Sequence, residues 1–170
     1  MSKQSGRGAL AALLSLCCAT GALAREEVSF DPSVRPGTIV VVTHERRLYF
    51  VTDQGQAIRY PVGVGRAGKQ WRGASYVDGK YVNPAWSPPE DVKRDHPEMP
   101  DVIPGGSPRN PMGVAALTLA GDQYAIHGTT KAMRRSVGTY ASYGCIRMLN
   151  EDVTDLYQRV RVGTPVLVMP

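Results

Sequence analysis

Cysteine is nearly absent from this 170-residue chain. There are three, and two of them, Cys17 and Cys18, fall within the first 24 residues. Phenylalanine and tryptophan are scarce at two each, and there are three histidines. Each shortage excludes something. A single cysteine beyond residue 24 allows no internal disulfide framework. Three histidines without mutual ligand spacing give no zinc set of three or four ligands: His44 precedes Glu45-Arg46-Arg47, and His96 lies in the charged run Lys93-Arg94-Asp95-His96-Pro97. The only extended apolar stretch, Ala9–Ala19, is too short to span a bilayer as a stable helix. What is abundant is glycine (18) and proline (13), in a chain 42% hydrophobic and 21% charged. That composition favours strands and loops in one ordinary globular domain.

Residues 1–24 read as a secretory signal peptide. Lys3 and Arg7 form the basic start, Ala9–Ala19 the apolar centre, and Ala22-Leu23-Ala24 the small-x-small cleavage site before Arg25. Leu14-Ser15-Leu16 ahead of the paired cysteines disfavours a lipid-anchored form. Removal of Lys3 and Arg7 leaves 18 basic residues against 15 acidic ones, a net charge of +3. A surplus that small does not argue for nucleic acid and is compatible with an anionic wall polymer. The exported chain then carries one cysteine, Cys145, and a lone thiol in an exported protein is a hazard unless it is used.

Residues 25–36 read as an irregular lead-in. Thr38–Thr43, Arg47–Thr52 and Ala57–Val64 follow as strands of a meander. Eight of the thirteen prolines fall between Pro84 and Pro111, so residues 65–112 read as a long loop of the kind that forms binding or lid elements. Trp71, Tyr76, Tyr81 and Trp86 are candidates to line a cleft there or to pin the loop down. Val114–Leu119 and Tyr124–His127 read as strands. A helix is expected from Asn150, taken as its N-cap, with Val153, Leu156, Tyr157 and Val160 as its apolar stripe and Gly163 as its stop. Thr164–Met169 closes the domain as a strand. The fold class is mainly β: a sandwich or curled sheets with one principal helix near the C-terminus.

Two segments carry chemistry. His127 ends the apolar strand Ala125-Ile126-His127, followed by Gly128-Thr129, and Cys145 sits in Ser142-Tyr143-Gly144-Cys145-Ile146-Arg147-Met148. A thiol and an imidazole are the minimum for nucleophilic catalysis by a thiolate. Gly144 allows a sharp bend before the nucleophile and lets neighbouring N–H groups form an oxyanion hole. Histidine precedes cysteine in chain order, the reverse of papain-type folds. A working pair brings the two side chains within about 4 Å.

The combination His127-Gly128-Thr129, Ser142-x-Gly144-Cys145-Ile146-Arg147-Met148 and Asn150-x-Asp152, with Asn110-Pro111-Met112-Gly113 upstream, resembles the L,D-transpeptidase (YkuD-type) catalytic domain. The resemblance covers roughly residues 37–169, within a domain running from 37 to 170. It implies an exported bacterial enzyme of peptidoglycan, in the periplasm or cell envelope, working without a cofactor. Cys145 would attack the carbonyl before the terminal D-residue of a tetrapeptide stem. His127 would take the thiol proton, and the Gly128 carbonyl would orient the imidazole. N–H groups around Tyr143, Gly144 and Cys145 would hold the oxyanion. Ser142 would support the loop, and Arg147 would position the donor or brace the loop. The implied partners are peptidoglycan stem peptides, outer-membrane or envelope proteins as alternative acyl acceptors, and carbapenem inhibitors.

One residue departs from the pattern: Tyr143 stands where many members carry histidine. Three other readings stay open on the residues alone. One is a wall-binding module of the same fold without activity, a second is an L,D-carboxypeptidase with water as acceptor, and a third is a redox thiol that borrows a partner's cysteine.

Overall fold

In the computed structural model, residues 25–121 and 124–170 are described; the expected signal peptide, 1–24, lies outside them. The strands are β1 (Glu26–Ser29), β2 (Ile39–Val42), β3 (Arg47–Asp53), β4 (Gln56–Pro61), β5 (Val64–Gly65) and β6 (Gly73–Val82). A short helix α1 (Glu90–Asp95) follows, then β7 (Ala115–Leu119), β8 (Ala125–His127), β9 (Tyr140–Ser142) and β10 (Ile146–Arg147). Helix α2 (Asn150–Arg159) and β11 (Pro165–Met169) complete the chain. Nine strands form one curled sheet in the order β1-β4-β3-β2-β11-β6-β7-β8-β10, and β5 pairs with β9 beside it. The fold is mainly β with α2 as the principal helix, as the composition suggests.

The core lies inside the curl. Ile39, Val41, Leu48, Tyr60, Val77, Leu117, Ile126, Ile146 and Met148 pack there against Val153, Leu156 and Val160 of α2. The helical stripe read from sequence is the stripe that is buried. Asn150 corrects the capping expectation. The residue at the N-cap is Leu149 and it makes no side-chain cap bond. Asn150 Oδ1 instead accepts the Thr129 N–H at 2.9 Å, tying the helix start to the segment after His127.

Two other expectations are corrected. Residues 25–36 are not wholly irregular: Glu26–Ser29 pairs antiparallel with β4. Val28, Phe30 and Val34 then cover a second cluster, Val40, Tyr49, Val51 and Ala57, on the outer face of β2–β4. Burial on both faces explains the unbroken β-branched run in β2. Residues 65–112 are not one loop either. β6 is ten residues long and sits between β11 and β7, fully inside the sheet. Asp78, Gly79 and Lys80 break its alternation, and a bulge between Val77 and Gly79 accounts for the broken pattern. The proline-rich remainder carries α1, and a Trp86–Ile103 bridge closes it on itself.

Asp152 is buried in α2, and its Oδ2 has no partner among the described residues. Burial, with Glu151 beside it, pushes its carboxyl up to about 6. The folded state therefore holds a proton that the unfolded chain has lost between about pH 4 and 6, and above that range the buried charge costs stability. Asp152→Asn is expected to stabilise the fold at pH 7 by about 1–3 kcal/mol. The gain should shrink to nothing below pH ~4, where both states are protonated. Urea unfolding at the two pH values checks it.

Candidate functional site

The parallel pairing of β8 and β10 builds the site. Ile126 lies opposite Ile146, and His127 opposite Arg147. Side chains alternate along a strand, so Cys145, just before β10, falls on the face shared by Ala125, His127 and Arg147. Ile126 and Ile146 point the other way, into the core. This apolar pair sets the register that brings thiol and imidazole to one face, in a diagonal cross-strand relation of about 7–8 Å between backbones.

His127 is buried, and its Nδ1 lies 2.7 Å from the Gly128 carbonyl oxygen. A carbonyl accepts only, so Nδ1 carries the proton and Nε2 keeps its lone pair. Burial pushes the imidazole down to about 4, helped by the Arg147 cation and opposed by the Gly128 and Pro111 carbonyls. Cys145 is partly exposed on a cleft of about 360 Å³. Burial raises its thiol, while a main-chain hydrogen bond from Ala125 and the Arg147 charge draw it down. Among the hydrogen bonds of the described residues none joins Cys145 to His127, so the two side chains share a face without the direct bond expected of a working pair; the burial that raises the thiol and lowers the imidazole favours the neutral form of each.

Ser142 holds the turn between them. Its hydroxyl donates to the Cys145 carbonyl at 2.6 Å and accepts the Gly144 N–H at 3.1 Å. The Gly144 N–H is thus engaged. Among the described residues, the N–H groups of Tyr143 and Cys145 have no acceptor. Gly144 adopts φ +125°, and its carbonyl accepts Trp71 Nε1 at 3.0 Å. Arg147 braces the neighbouring loop. Its Nη1 donates to Ser136 Oγ at 2.7 Å, its buried Nε has no partner among the described residues, and burial lowers its own ionisation.

Tyr143 faces α1. Its hydroxyl donates to Asp95 at 2.6 Å, and the Arg66 guanidinium sits 4.0 Å from the ring centre while pairing Asp95 at 2.7 Å. Lys69–Asp91, at 2.6 Å, is a second tie between the same two segments. The proline-rich region is thereby fastened to a residue two positions before Cys145. Nothing local in the sequence marks Arg66, Asp91 and Asp95 as the other ends of these ties.

Of the four aromatics considered, Tyr81 and Trp86 line the cleft with Tyr124, Met112, Asp78 and Thr118. Trp71 stacks on Tyr124 at 4.9 Å between ring centres and so braces the wall, whereas Tyr76 is exposed elsewhere on the sheet. His44 and His96 lie on the surface, away from the cleft. Among the described residues no group of three or more metal-ligating side chains gathers in one place.

Comparisons with known proteins agree with this architecture. The YkuD model, an L,D-transpeptidase catalytic domain, matches residues 36–168. The chain is 33% identical over 152 residues to the probable L,D-transpeptidase ErfK/SrfK of Escherichia coli, covering 85% of this chain and 47% of that protein. It thus spans about half the length of that relative. A Brucella melitensis crystal structure, named as a probable carnitine operon oxidoreductase, is 36% identical with a TM-score of 0.57, covering 83% of this chain and 90% of that one. L,D-transpeptidase 3 of Mycobacterium tuberculosis, solved with a faropenem-derived adduct, shares the fold at 17% identity and a TM-score of 0.56, covering 78% and 60%.

Proposed function

The chain belongs to the YkuD family of L,D-transpeptidase catalytic domains, and we propose that it is an exported, cysteine-dependent L,D-transpeptidase of the cell envelope. The observation that carries the proposal is the shared face of β8 and β10. It presents Cys145 and an imidazole whose tautomer the Gly128 carbonyl fixes. Gly128 plays the part that a carboxylate plays in other triads. It orients the ring without adding a negative charge, so the imidazole stays neutral and able to accept a proton.

The steps follow from that geometry. His127 Nε2 takes the Cys145 proton, and the thiolate attacks the carbonyl before the terminal D-residue of a tetrapeptide stem. The Tyr143 and Cys145 N–H groups hold the oxyanion, and Arg147 stabilises the thiolate. The imidazolium then protonates the departing amine of the D-residue, leaving a thioester on Cys145. An incoming amine, from a second stem or an envelope protein, loses a proton to His127 as it attacks, and the thiol is released. The neutral resting pair suits this sequence, because the base must be free before each attack.

The test is covalent. Incubated with a carbapenem, the protein is expected to gain the mass of one drug molecule, mapped to the peptide containing Cys145. Wild-type protein that stays unmodified at millimolar drug would sink the reading. Incubated with tetrapeptide stems, it should release the terminal D-residue and form dimers in which the donor stem has lost that residue. Release without dimers would point to water as the acceptor.

A further inference from the structure

The cleft that holds Cys145 contains an acidic side chain that the chemistry above does not use. Asp78 is the extra residue of the bulge in β6: Val77 pairs with Leu119 and Gly79 with Thr118, and Asp78 is skipped. If the register of Gly79–Val82 continued unbroken, Asp78 would pair with Leu119 and face the core. The bulge keeps Val77 inside and turns Asp78 onto the face of Thr118, Ala125 and Cys145. There the Thr118 hydroxyl donates to its carboxylate. Among the described residues no cation pairs with it.

Its surroundings suit a cation. Tyr81, two residues on from Gly79, folds its ring down over that glycine; a Cβ at Gly79 would lie 2.6 Å from the ring and from Thr118 Oγ1. Trp86 closes the other side, held by paired main-chain bonds with Ile103 at 2.8 and 2.9 Å. A carboxylate at the rim of an aromatic-walled cleft is the pattern that recognises ammonium groups.

Distance then selects which ammonium. Thr118 holds the carboxylate over β7, two strand spacings from β10, or about 10 Å. Allowing for the reach of the Cys145 side chain leaves roughly 7–8 Å between the carboxylate and a carbonyl carbon at the sulfur. A lysine-length side chain spans roughly that distance from its own carbonyl carbon to its terminal nitrogen. The acceptor amine, which must itself reach the thioester carbon, cannot also sit at Asp78.

We propose that Asp78 is a specificity-determining residue that binds the side-chain ammonium of a diamino acid in the donor stem, the residue whose carbonyl Cys145 attacks. The inference rests on the transpeptidase reading. Two probes test it: a tetrapeptide stem whose third residue is a diamino acid with its side-chain amine free, and the same stem with that amine acetylated. Acylation of Cys145 is followed by mass spectrometry. Wild type is expected to prefer the free amine by about 10-fold or more in kcat/KM, with the preference weakening at high salt. Asp78→Asn should bring the ratio close to one, and Asp78→Glu should restore part of it. A wild type that acylates with both stems at equal rates, or an Asp78→Asn protein that keeps the preference, overturns the inference and leaves the transpeptidase reading intact. Absence of any adduct from either stem or from a carbapenem overturns both.

Discussion

With Cys145 changed to alanine the protein is expected to gain no acyl adduct at any pH, whereas His127→Gln should acylate about 10²–10⁴-fold more slowly than wild type at neutral pH. The two failures differ in kind. Without sulfur there is nothing to acylate. Without the imidazole the nucleophile remains, but its thiol is raised by burial and little thiolate forms unaided. The residual rate of His127→Gln should therefore climb as pH rises towards and past the ordinary thiol range. Wild type should behave differently, because its base is neutral at rest. Burial holds His127 near 4, so the base is lost only as pH falls towards that value, well below the ordinary histidine range near 6.5. Carbapenem acylation rates from pH 4 to 10 read both limbs. A His127→Gln protein with the wild-type rate and profile removes His127 from the mechanism.

The environment of this pair has a consistent logic. Arg147 lies opposite His127 in the register and is buried, with no carboxylate partner among the described residues. An unpaired buried cation is costly. Here it disfavours the imidazolium, which keeps the base free at rest, and favours the thiolate, so it acts in opposite senses on the two ends of the proton transfer. Ser136 takes one guanidinium hydrogen bond but leaves the charge uncompensated.

The parts of this arrangement that the sequence shows are the ones written in contiguous residues. Ala125–His127 and Ser142–Met148 each carry their reactive group and its apolar neighbours within a few positions, whereas the two-residue strand β10 and its parallel pairing with β8 appear only in the fold. The stripe of α2 is legible for the same reason. Asn150 reads as a cap in the sequence because a cap and a tether use the same amide side chain. Only the fold shows that the Thr129 N–H needs it more. β1 was invisible because its Glu26-Glu27 start reads as solvated chain, and pairing with β4 is what makes it a strand. β6 was hidden by its bulge, which is the feature that turns Asp78 towards the cleft. The ties of Tyr143 to Asp95 and Arg66 span tens of residues and leave no local pattern. In the sequence Tyr143 reads as a missing histidine. In the fold it is a phenol that fastens α1 close to Cys145.

The brace on the other side of Cys145 predicts the second large effect. Gly144 sits at φ +125°, a region that side chains rarely adopt. A Cβ there would come within 2.2 Å of a Tyr124 ring carbon. Tyr124 cannot simply retreat. It is stacked on Trp71 with the planes 4° apart, and Trp71 is itself bonded to the Gly144 carbonyl. Gly144→Ala must either rotate the peptide, losing the Trp71 bond, or push Tyr124 off its partner. Backbone strain of about 1–3 kcal/mol and a comparable packing cost suggest a loss of about 2–4 kcal/mol in urea unfolding. Rotation of the Gly144–Cys145 peptide would also re-aim the Cys145 N–H, so carbapenem acylation should fall by about 10²-fold. Gly163→Ala separates the two causes. Gly163 has φ +90°, but a Cβ there meets nothing within 4 Å. It should cost only the backbone strain, about 1–2 kcal/mol, and leave acylation unchanged. Equal losses of stability in the two variants would mean that Tyr124 yields freely and the aromatic brace is not rigid. An unchanged acylation rate in a Gly144→Ala protein whose Trp71 fluorescence shows the bond to the Gly144 carbonyl lost would mean that the Cys145 N–H does not hold the oxyanion, because that group cannot keep its aim once the peptide before it has turned.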